Sequence, residues 1–378
     1  MLPQGPDRAT SPQASPTFKI LVISSLRYPI AEPFAGGLEA HTHALAVGLR
    51  ERGHSVLVAG AVGSDPDVVG HEFGLMPPSS PGERADISES DAVQLAERRY
   101  FTALMDDVRD GLLGSFDVIH NNSLYSVPVE RAATLPCPMI SVLHTPPLNW
   151  SERVLGRKQH RDSDFVAVSA STARSWAPLL APRVVLNGVD TDAWHAGPGG
   201  PGAVWSGRIV AEKAPHLAIQ LARAAGLPLT IAGPVMDTEY FEAHIAPQLG
   251  GDVHYVGHLD RAELATLVGH SAVALVTPVW AEPFGMVVAE AMSCGTPVVA
   301  FARGGIPEIV DPSSGRLLDP PLDDVLTPAD LARAAVAVAE AAGLDREAVR
   351  RHAVGRLSLR AMLTGYEAVY RDAVRDRA

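Results

Sequence analysis

The chain is predicted to be an α/β protein made of two doubly wound domains, each a parallel sheet covered on both faces by helices. Three observations predict this. Short apolar runs rich in β-branched residues alternate with amphipathic helical stretches along most of the chain. The alternation comes in two successive series that meet near residues 178–200. A length of 378 residues is also long for one core and comfortable for two.

The first series opens with FKILVIS from Phe18, a strand, followed by a long loop. LEAHTHALAVGLRERG then carries helical periodicity and stops at Gly53, and HSVLVAG is the next strand. Residues 60–90 are rich in Pro, Gly, Ser and Asp and receive no firm element. AVQLAERRYFTALMDDVRDGLL is a long amphipathic helix; DVIHNN, MISVLHT and DFVAVS are strands, the last leading into a helix start at Ser169–Ser171. In the second series AVWSGR, LPLTIAG, DVHYVG, AVALVTP and TPVVAF are strands. EKAPHLAIQLARAAG, DTEYFEAHIAPQL, RAELATLVGH and FGMVVAEAMSCG are helices between them, and three helical stretches from Pro328 to Ala378 close the chain. Parallel sheets of this kind bind ligands beyond the carboxyl ends of their strands, so a substrate cleft between the domains is expected.

Composition narrows the function. Charged residues make up 20% of the chain and apolar ones 47%, ordinary for a globular protein. A net charge of −12 argues against nucleic acid as a partner and does not favour an anionic membrane. No apolar run reaches the ~18 residues of a membrane span, and no signal peptide is apparent, so a cytoplasmic protein without stable membrane insertion is expected. Residues 1–16, rich in Pro, Ser and Gln, read as a disordered tail. Cys137 and Cys294 read as buried reduced thiols. Only three basic residues are lysines (Lys19, Lys158 and Lys213) against a background of arginine, which draws attention to each.

The richest stretch is VWAEPFGMVVAEAMSCGTPVVAFARGGIPEIV, residues 279–310. Glu282 lies just before a helix expected to start near Pro283 or Phe284, where proline suits the first turn. Gly285 permits close approach to the backbone, and free amides at Phe284, Gly285 and Met286 can bind hydroxyl or phosphate oxygens. Glu290 follows eight residues after Glu282, so the two carboxylates can meet different parts of one extended ligand. Alone, either would be an acidic residue decorating a helix start.

Glu282-Pro283-Phe284-Gly285 with Glu290 resembles the E-x7-E signature of retaining glycosyltransferases of the GT-B fold, and the chain is most similar to family 4. The resemblance extends to Ala291–Val299 and to Gly304-Gly305-Ile306-Pro307-Glu308. It includes Gly36-Gly37-Leu38-Glu39-Ala40-His41, similar to the family's glycine-rich loop, where Gly36 and Gly37 allow close approach of a diphosphate. Ser206–Lys213 is similar to the loop carrying the diphosphate-binding Arg208 and Lys213; Ala214 stands where the family usually has glycine. Val184–Trp194 looks like the interdomain segment.

The resemblance implies a GT-B fold of two Rossmann-like domains facing across a cleft. Residues 17–180, joined by the terminal helix 358–378, would form the acceptor domain, and residues 181–357 the nucleotide-sugar donor domain. It implies transfer of a sugar from a nucleoside diphosphate sugar (UDP- or GDP-linked) to a hydroxyl-bearing acceptor, with retention and with no cofactor. Arg208 and Lys213 would stabilise the leaving diphosphate. Glu282 would hold sugar hydroxyls, His144 would lie beside the transferred sugar, and Glu290 would bind the ribose. His258 and Leu259 would hold the base through backbone groups, with Phe284, Gly285, Met286 and Val287 completing the donor site. No metal site is expected, since the chain has no HEXXH or Cys/His cluster, and His41 and His43 diverge on their helix. The basic stretch Arg153–Arg161 reads as a solvated face or as a contact for an acidic acceptor. Rival readings are a sugar-nucleotide epimerase or phosphorylase sharing the pocket, and a non-catalytic binder. A nicotinamide oxidoreductase is disfavoured because no G-x-G-x-x-G follows the first strand.

Overall fold

The computed structural model describes residues 16–73, 91–156 and 165–377. The expected tail therefore lies outside the described residues except for Pro16, as do residues 74–90 of the Pro/Gly-rich loop and the 157–161 half of the basic stretch.

Two parallel sheets organise the chain. The first contains β1 (Lys19–Ile23), β2 (Ser55–Ala61), β3 (His71–Phe73), β4 (Val118–Asn121), β5 (Met139–Leu143), β6 (Phe165–Ala167) and β7 (Arg183–Val184). Their spatial order is β3-β2-β1-β4-β5-β6-β7. The second contains β8 (Ala203–Ser206), β9 (Leu229–Ala232), β10 (Val253–Tyr255), β11 (Val273–Val276), β12 (Val298–Phe301) and β13 (Gly315–Leu318), ordered β10-β9-β8-β11-β12-β13. Ile20, Leu21 and Val22 of β1 sit between Val56–Val58 on one side and Val118–His120 on the other. A strand paired on both edges and covered on both faces must be apolar throughout, and Ile20 to Ile23 are each 0% exposed.

Helices α1 (Gly37–Glu51), α2 (Asp91–Arg109), α3 (Ser126–Arg131), α4 (Ser151–Leu155) and α5 (Ala170–Trp176) accompany the first sheet. With the second run α6 (Pro215–Ala224), α7 (Thr238–Tyr240), α8 (Arg261–Gly269), α9 (Met286–Ser293), α10 (Ile306–Ile309), α11 (Pro328–Ala342) and α12 (Arg346–Arg356). The last helix, α13 (Leu359–Arg375), returns to the first sheet. Its Glu367 meets Arg52 at 3.0 Å and His54 at 3.2 Å, and its Asp372 meets Arg183 at 2.8 Å. Tyr366 and Tyr370 are fully buried, Tyr370 lying edge-on to Phe18.

Three local departures from the sequence reading have physical causes. DTEYFEAHIAPQL is not one helix: α7 gives way to a wide turn over Phe241–Ile245 and a tight one over Ala246–Gln248, because Pro247 cannot donate the next helical hydrogen bond. The helix expected from Pro283 or Phe284 begins at Met286, since Gly285 takes φ 96°, outside the helical region. Strands β3, β7 and β13 are too short to show as apolar runs; β7 extends the first sheet through Val184 and β13 extends the second beside β12.

In each sheet the chain runs outward one way and then resumes on the other side of its first strand. The reversals lie between β1 and β4 and between β8 and β11. Crevices beyond the carboxyl ends of these strands are where a doubly wound sheet receives ligand. The loops issuing there carry Gly36 and Gly37, Asn122, Arg208 and Glu282.

Candidate active site

One cavity opens between the two sheets. Gly36, Gly37, Arg208, Lys213, His258, Leu259, Glu282, Met286, Val287 and Glu290 all line it. These residues come from four chain segments: three issue at the strand-order reversals, after β1, β8 and β11, and the fourth follows the edge strand β10.

The basic side is built by the loop after β8. Arg208 leaves the strand end, and Ala211–Lys213 forms a single tight turn. Ala214 then takes φ 47° and ψ 53°, a left-handed conformation that favours glycine, before Pro215 starts α6. The Thr277 hydroxyl donates to the Ala214 carbonyl at 3.0 Å and the Val279 amide to the Glu212 carbonyl at 2.9 Å. The lysine loop is thereby fastened to the loop bearing Glu282. Lys213 Nζ reaches Glu282 Oε2 at 2.6 Å and sits 4.7 Å from the Trp280 ring centroid. The indole N–H of Trp280 donates to the same Glu282 oxygen at 3.0 Å.

Backbone packing fixes the Glu282 loop. The Gly305 amide donates to the Glu282 carbonyl at 2.7 Å. A Cβ at Gly304 would lie 2.0 Å from that carbonyl oxygen, and one at Gly305 would lie 2.5 Å from the Pro283 carbonyl oxygen. The Gly304-Gly305 pair is thus required by close approach to the loop holding Glu282. From the first domain, Ser169 Oγ and Thr172 Oγ1 donate to the Pro283 carbonyl at 2.6 and 3.2 Å.

Helix α9 begins at the cavity, where Val288 and Ala289 are the first amides to close back onto the Gly285 carbonyl. The amides before them have no intrahelical partner, as at any helix start. Met286 and Val287 face the cavity, while Phe284 is 2% exposed and packs in the core, so its side chain anchors the loop. Gly37 opens α1 on the facing domain, and a Cβ there would lie 3.2 Å from Met286 Cγ. Two helix N-termini therefore point into one cleft, a setting that favours anions.

At the far end Glu290 has no charged partner among the described residues, and burial raises its carboxyl to about 7. His258 Nε2 lies 3.1 Å from the Phe34 carbonyl oxygen and Arg261 pairs with Glu32 at 3.0 Å, both across the cleft. His144 is not part of the cavity lining; it stands at the end of β5, hydrogen-bonded to Asn122 at 2.9 Å and with its ring 4.9 Å from that of His41. Burial, with His41 and His120 nearby, holds its pKa well below the usual histidine value. Among the described residues no group of three or more His, Cys, Asp or Glu could hold a metal ion, and no helix is long and apolar enough to cross a membrane. Cys137 and Cys294 are buried free thiols.

Reading the sequence does not single out Trp280, Arg261 or Asn122. Trp280 alone carried a signal, being a rare aromatic two residues before Glu282.

Two parallel, doubly wound sheets facing over a cleft with this set of cations, carboxylates and helix starts define a GT-B glycosyltransferase. Comparison with known proteins agrees. Residues 35–193 match the family model "Glycosyltransferase Family 4" and residues 197–330 match "Glycosyl transferases group 1". Glycogen synthase of Mycobacterium tuberculosis is 30% identical over 340 residues, covering 77% of this chain and 80% of that protein. The MMP alpha-(1->4)-mannosyltransferase of Mycolicibacterium hassiacum is 26% identical over 272 residues, covering 61% and 65%. The crystal structure of AviGT4, a glycosyltransferase involved in avilamycin A biosynthesis, superposes with a TM-score of 0.69 at 23% identity, covering 95% of this chain and 98% of that one. The chain belongs to the family 4, group 1 glycosyltransferases.

Proposed function

We propose that the protein transfers a sugar, with retention, from a UDP- or GDP-sugar to a hydroxyl of a small-molecule, glycan or natural-product acceptor. The observation that carries this reading is the convergence of Arg208, Lys213, Glu282 and Glu290 with the N-termini of α1 and α9 on one cavity. The donor half, expected from residue 181, is here assigned to residues 185–357, because β7 (Arg183–Val184) pairs within the first sheet. The acceptor half comprises residues 17–184 together with the terminal helix.

Departure of the nucleoside diphosphate develops negative charge on its phosphates. Arg208 supplies a planar fork and Lys213 a point charge for that oxygen cluster, and the amides at Gly37 and Met286 add fixed dipoles. These groups supply the charge stabilisation without a cofactor. Glu282 accepts hydrogen bonds from hydroxyls of the sugar. The departing phosphate oxygen takes the proton of the acceptor hydroxyl as that oxygen bonds to the anomeric carbon on the same face. Glu290 binds the ribose diol, and backbone groups at His258 and Leu259 meet the base.

The test is Glu282→Ala. Transfer should be abolished while nucleoside diphosphate binding remains measurable by calorimetry; unimpaired turnover would overturn the assignment. Product NMR should show an anomeric configuration identical to that of the donor. Donor incubated without acceptor should not yield an epimer or a sugar phosphate; either product would replace this reading with an epimerase or a phosphorylase.

A further inference from the structure

At the carboxyl ends of β4 and β5 a chain of hydrogen bonds runs from the last helix to the cleft. Tyr370 Oη lies 2.6 Å from His120 Nδ1, and His120 Nε2 lies 3.0 Å from Asn122 Oδ1. His144 Nε2 reaches that same oxygen at 2.9 Å. On its other side Asn122 Nδ2 lies 3.3 Å from Thr42 Oγ1, and the Thr42 hydroxyl donates to the Leu38 carbonyl at 2.8 Å.

The protons in this chain can be counted from either end. Thr42 has one hydroxyl proton and spends it on Leu38, so towards Asn122 its oxygen accepts. That orients the Asn122 amide, with its NH2 facing Thr42 and its carbonyl oxygen facing the two imidazoles. An amide oxygen only accepts, so both histidines must meet it through a protonated Nε2. His120 Nδ1 is then an acceptor and takes the phenolic proton of Tyr370, whose own pKa burial raises well above the usual value. Every proton has one place.

For His144 the same count leaves Nδ1 bare as long as the ring is neutral. A cation is disfavoured there, since burial and the neighbouring His41 and His120 rings hold its pKa well below the usual value. His41 and His120 are sealed in the core at 1% and 0% exposure, whereas His144, at the carboxyl end of β5, is only half-buried.

We propose that Asn122 is a positioning residue that locks His144 as the neutral Nε2–H tautomer, so that Nδ1 accepts a hydrogen bond from a hydroxyl of the bound sugar, with Tyr370 of α13 anchoring the far end of the chain. This rests on the reading that His144 lies beside the transferred sugar. It adds a direction to that contact: His144 accepts, so the sugar must offer a hydroxyl there, and a deoxy sugar at that position loses the bond.

The test uses the full chain labelled with 15N at histidine. His144, identified by the resonance lost in His144→Ala, should show a protonated Nε2 and a bare Nδ1 between pH 6 and 9. An Nδ1–H tautomer or an imidazolium in that range overturns the lock, with no reference to activity. Asn122→Ala should then show mixed tautomers at His144 and a kcat lowered tenfold or more, with the donor KM changed less than threefold. Tautomers that shift with kcat unaltered would overturn the positioning role. Full turnover in His144→Ala would instead remove His144 from the sugar site, and the tautomer measurement would still decide whether Asn122 sets the ring.

Discussion

Lys213 Nζ and Glu282 Oε2 are 2.6 Å apart in the cleft, and Trp280 donates to the same carboxylate oxygen. The cation that would meet the diphosphate is therefore already paired. A carboxylate and a phosphate oxygen are alike to an ammonium, so donor binding exchanges one anionic partner for another, while the indole keeps Glu282 in place. Lys213→Ala should lower kcat by about 10²- to 10³-fold, the usual effect of removing one stabiliser of developing charge. Steady-state kinetics with saturating donor will check this.

Trp280→Phe should keep the aromatic face under Lys213 and lose only the N–H to Glu282. The expected outcome is a fall in kcat of about tenfold, a hydrogen bond to a charged group at ~1.5 kcal/mol being worth roughly that factor. Nucleoside diphosphate affinity should be preserved, since the indole N–H is spent on Glu282. Paired kinetics and calorimetry separate the two quantities.

The packing of Gly304 against the Glu282 carbonyl makes a sharp contrast with Gly355. Gly304→Ala places a methyl group 2.0 Å from a backbone oxygen at φ 62°. Overpacking and left-handed strain together should cost at least about 2 kcal/mol, and turnover should fall because Glu282 moves. Gly355 lies in α12 with open space where its Cβ would be. Gly355→Ala should leave activity intact and stabilise by about 0.5–1 kcal/mol. Urea unfolding of both variants reads the sign directly.

How much of this was legible in the sequence depends on range. The two sheets show because strands buried on both faces read as apolar runs, as Ile20–Ile23 and Val298–Phe301 do. β3, β7 and β13 escape because each is short and carries polar residues or glycine among few apolar ones, as His71-Glu72 and Gly315-Arg316 do. Glu282, Glu290, Arg208 and Lys213 stand in compact motifs, so each can be named from local order alone. The lock on His144 cannot be named that way. Tyr370 and His120 lie 250 positions apart, and only the return of α13 to the first sheet brings them together. The Gly304-Gly305 motif is visible as a motif, but its reason, the carbonyls of Glu282 and Pro283 lying against it, is tertiary.

Glu308 links the domains beside the site. Its carboxylate accepts the Ala170 and Ser171 amides at 2.8 and 2.5 Å, on the same segment whose Ser169 and Thr172 hold the Pro283 carbonyl. Glu308→Ala leaves two amides at the start of α5 without their acceptor, costing about 1–3 kcal/mol. The larger effect should be kinetic. Glu282 loses its registration against the first domain, so kcat should fall tenfold or more while nucleotide affinity, for which Arg208, Lys213 and Glu290 of the second sheet's loops and helices are the proposed main contacts, changes less. Glu308→Gln, which keeps one acceptor oxygen, should lie between the two.

Glu290 makes donor binding a proton-linked event. Burial raises its carboxyl from 4.5 to about 7, so at pH 6 the free protein holds it mostly protonated. A folded-state pKa above the unfolded value means that stability from this group is full below pH 4.5 and is lost as pH rises through about 7. Ribose hydroxyls donate hydrogen bonds and favour the carboxylate, which lowers the pKa in the complex. Binding of UDP or GDP near pH 6 should therefore release a proton, and affinity should rise with pH and level off above about 7. Calorimetry in buffers of different ionisation enthalpy counts that proton. Glu290→Gln should remove the part of the release and of the pH dependence that this carboxyl supplies, leaving the titration of the terminal phosphate, and should also flatten the fall in stability between pH 4.5 and about 7. Binding that is independent of pH in the wild type would show that the ribose does not meet this carboxyl.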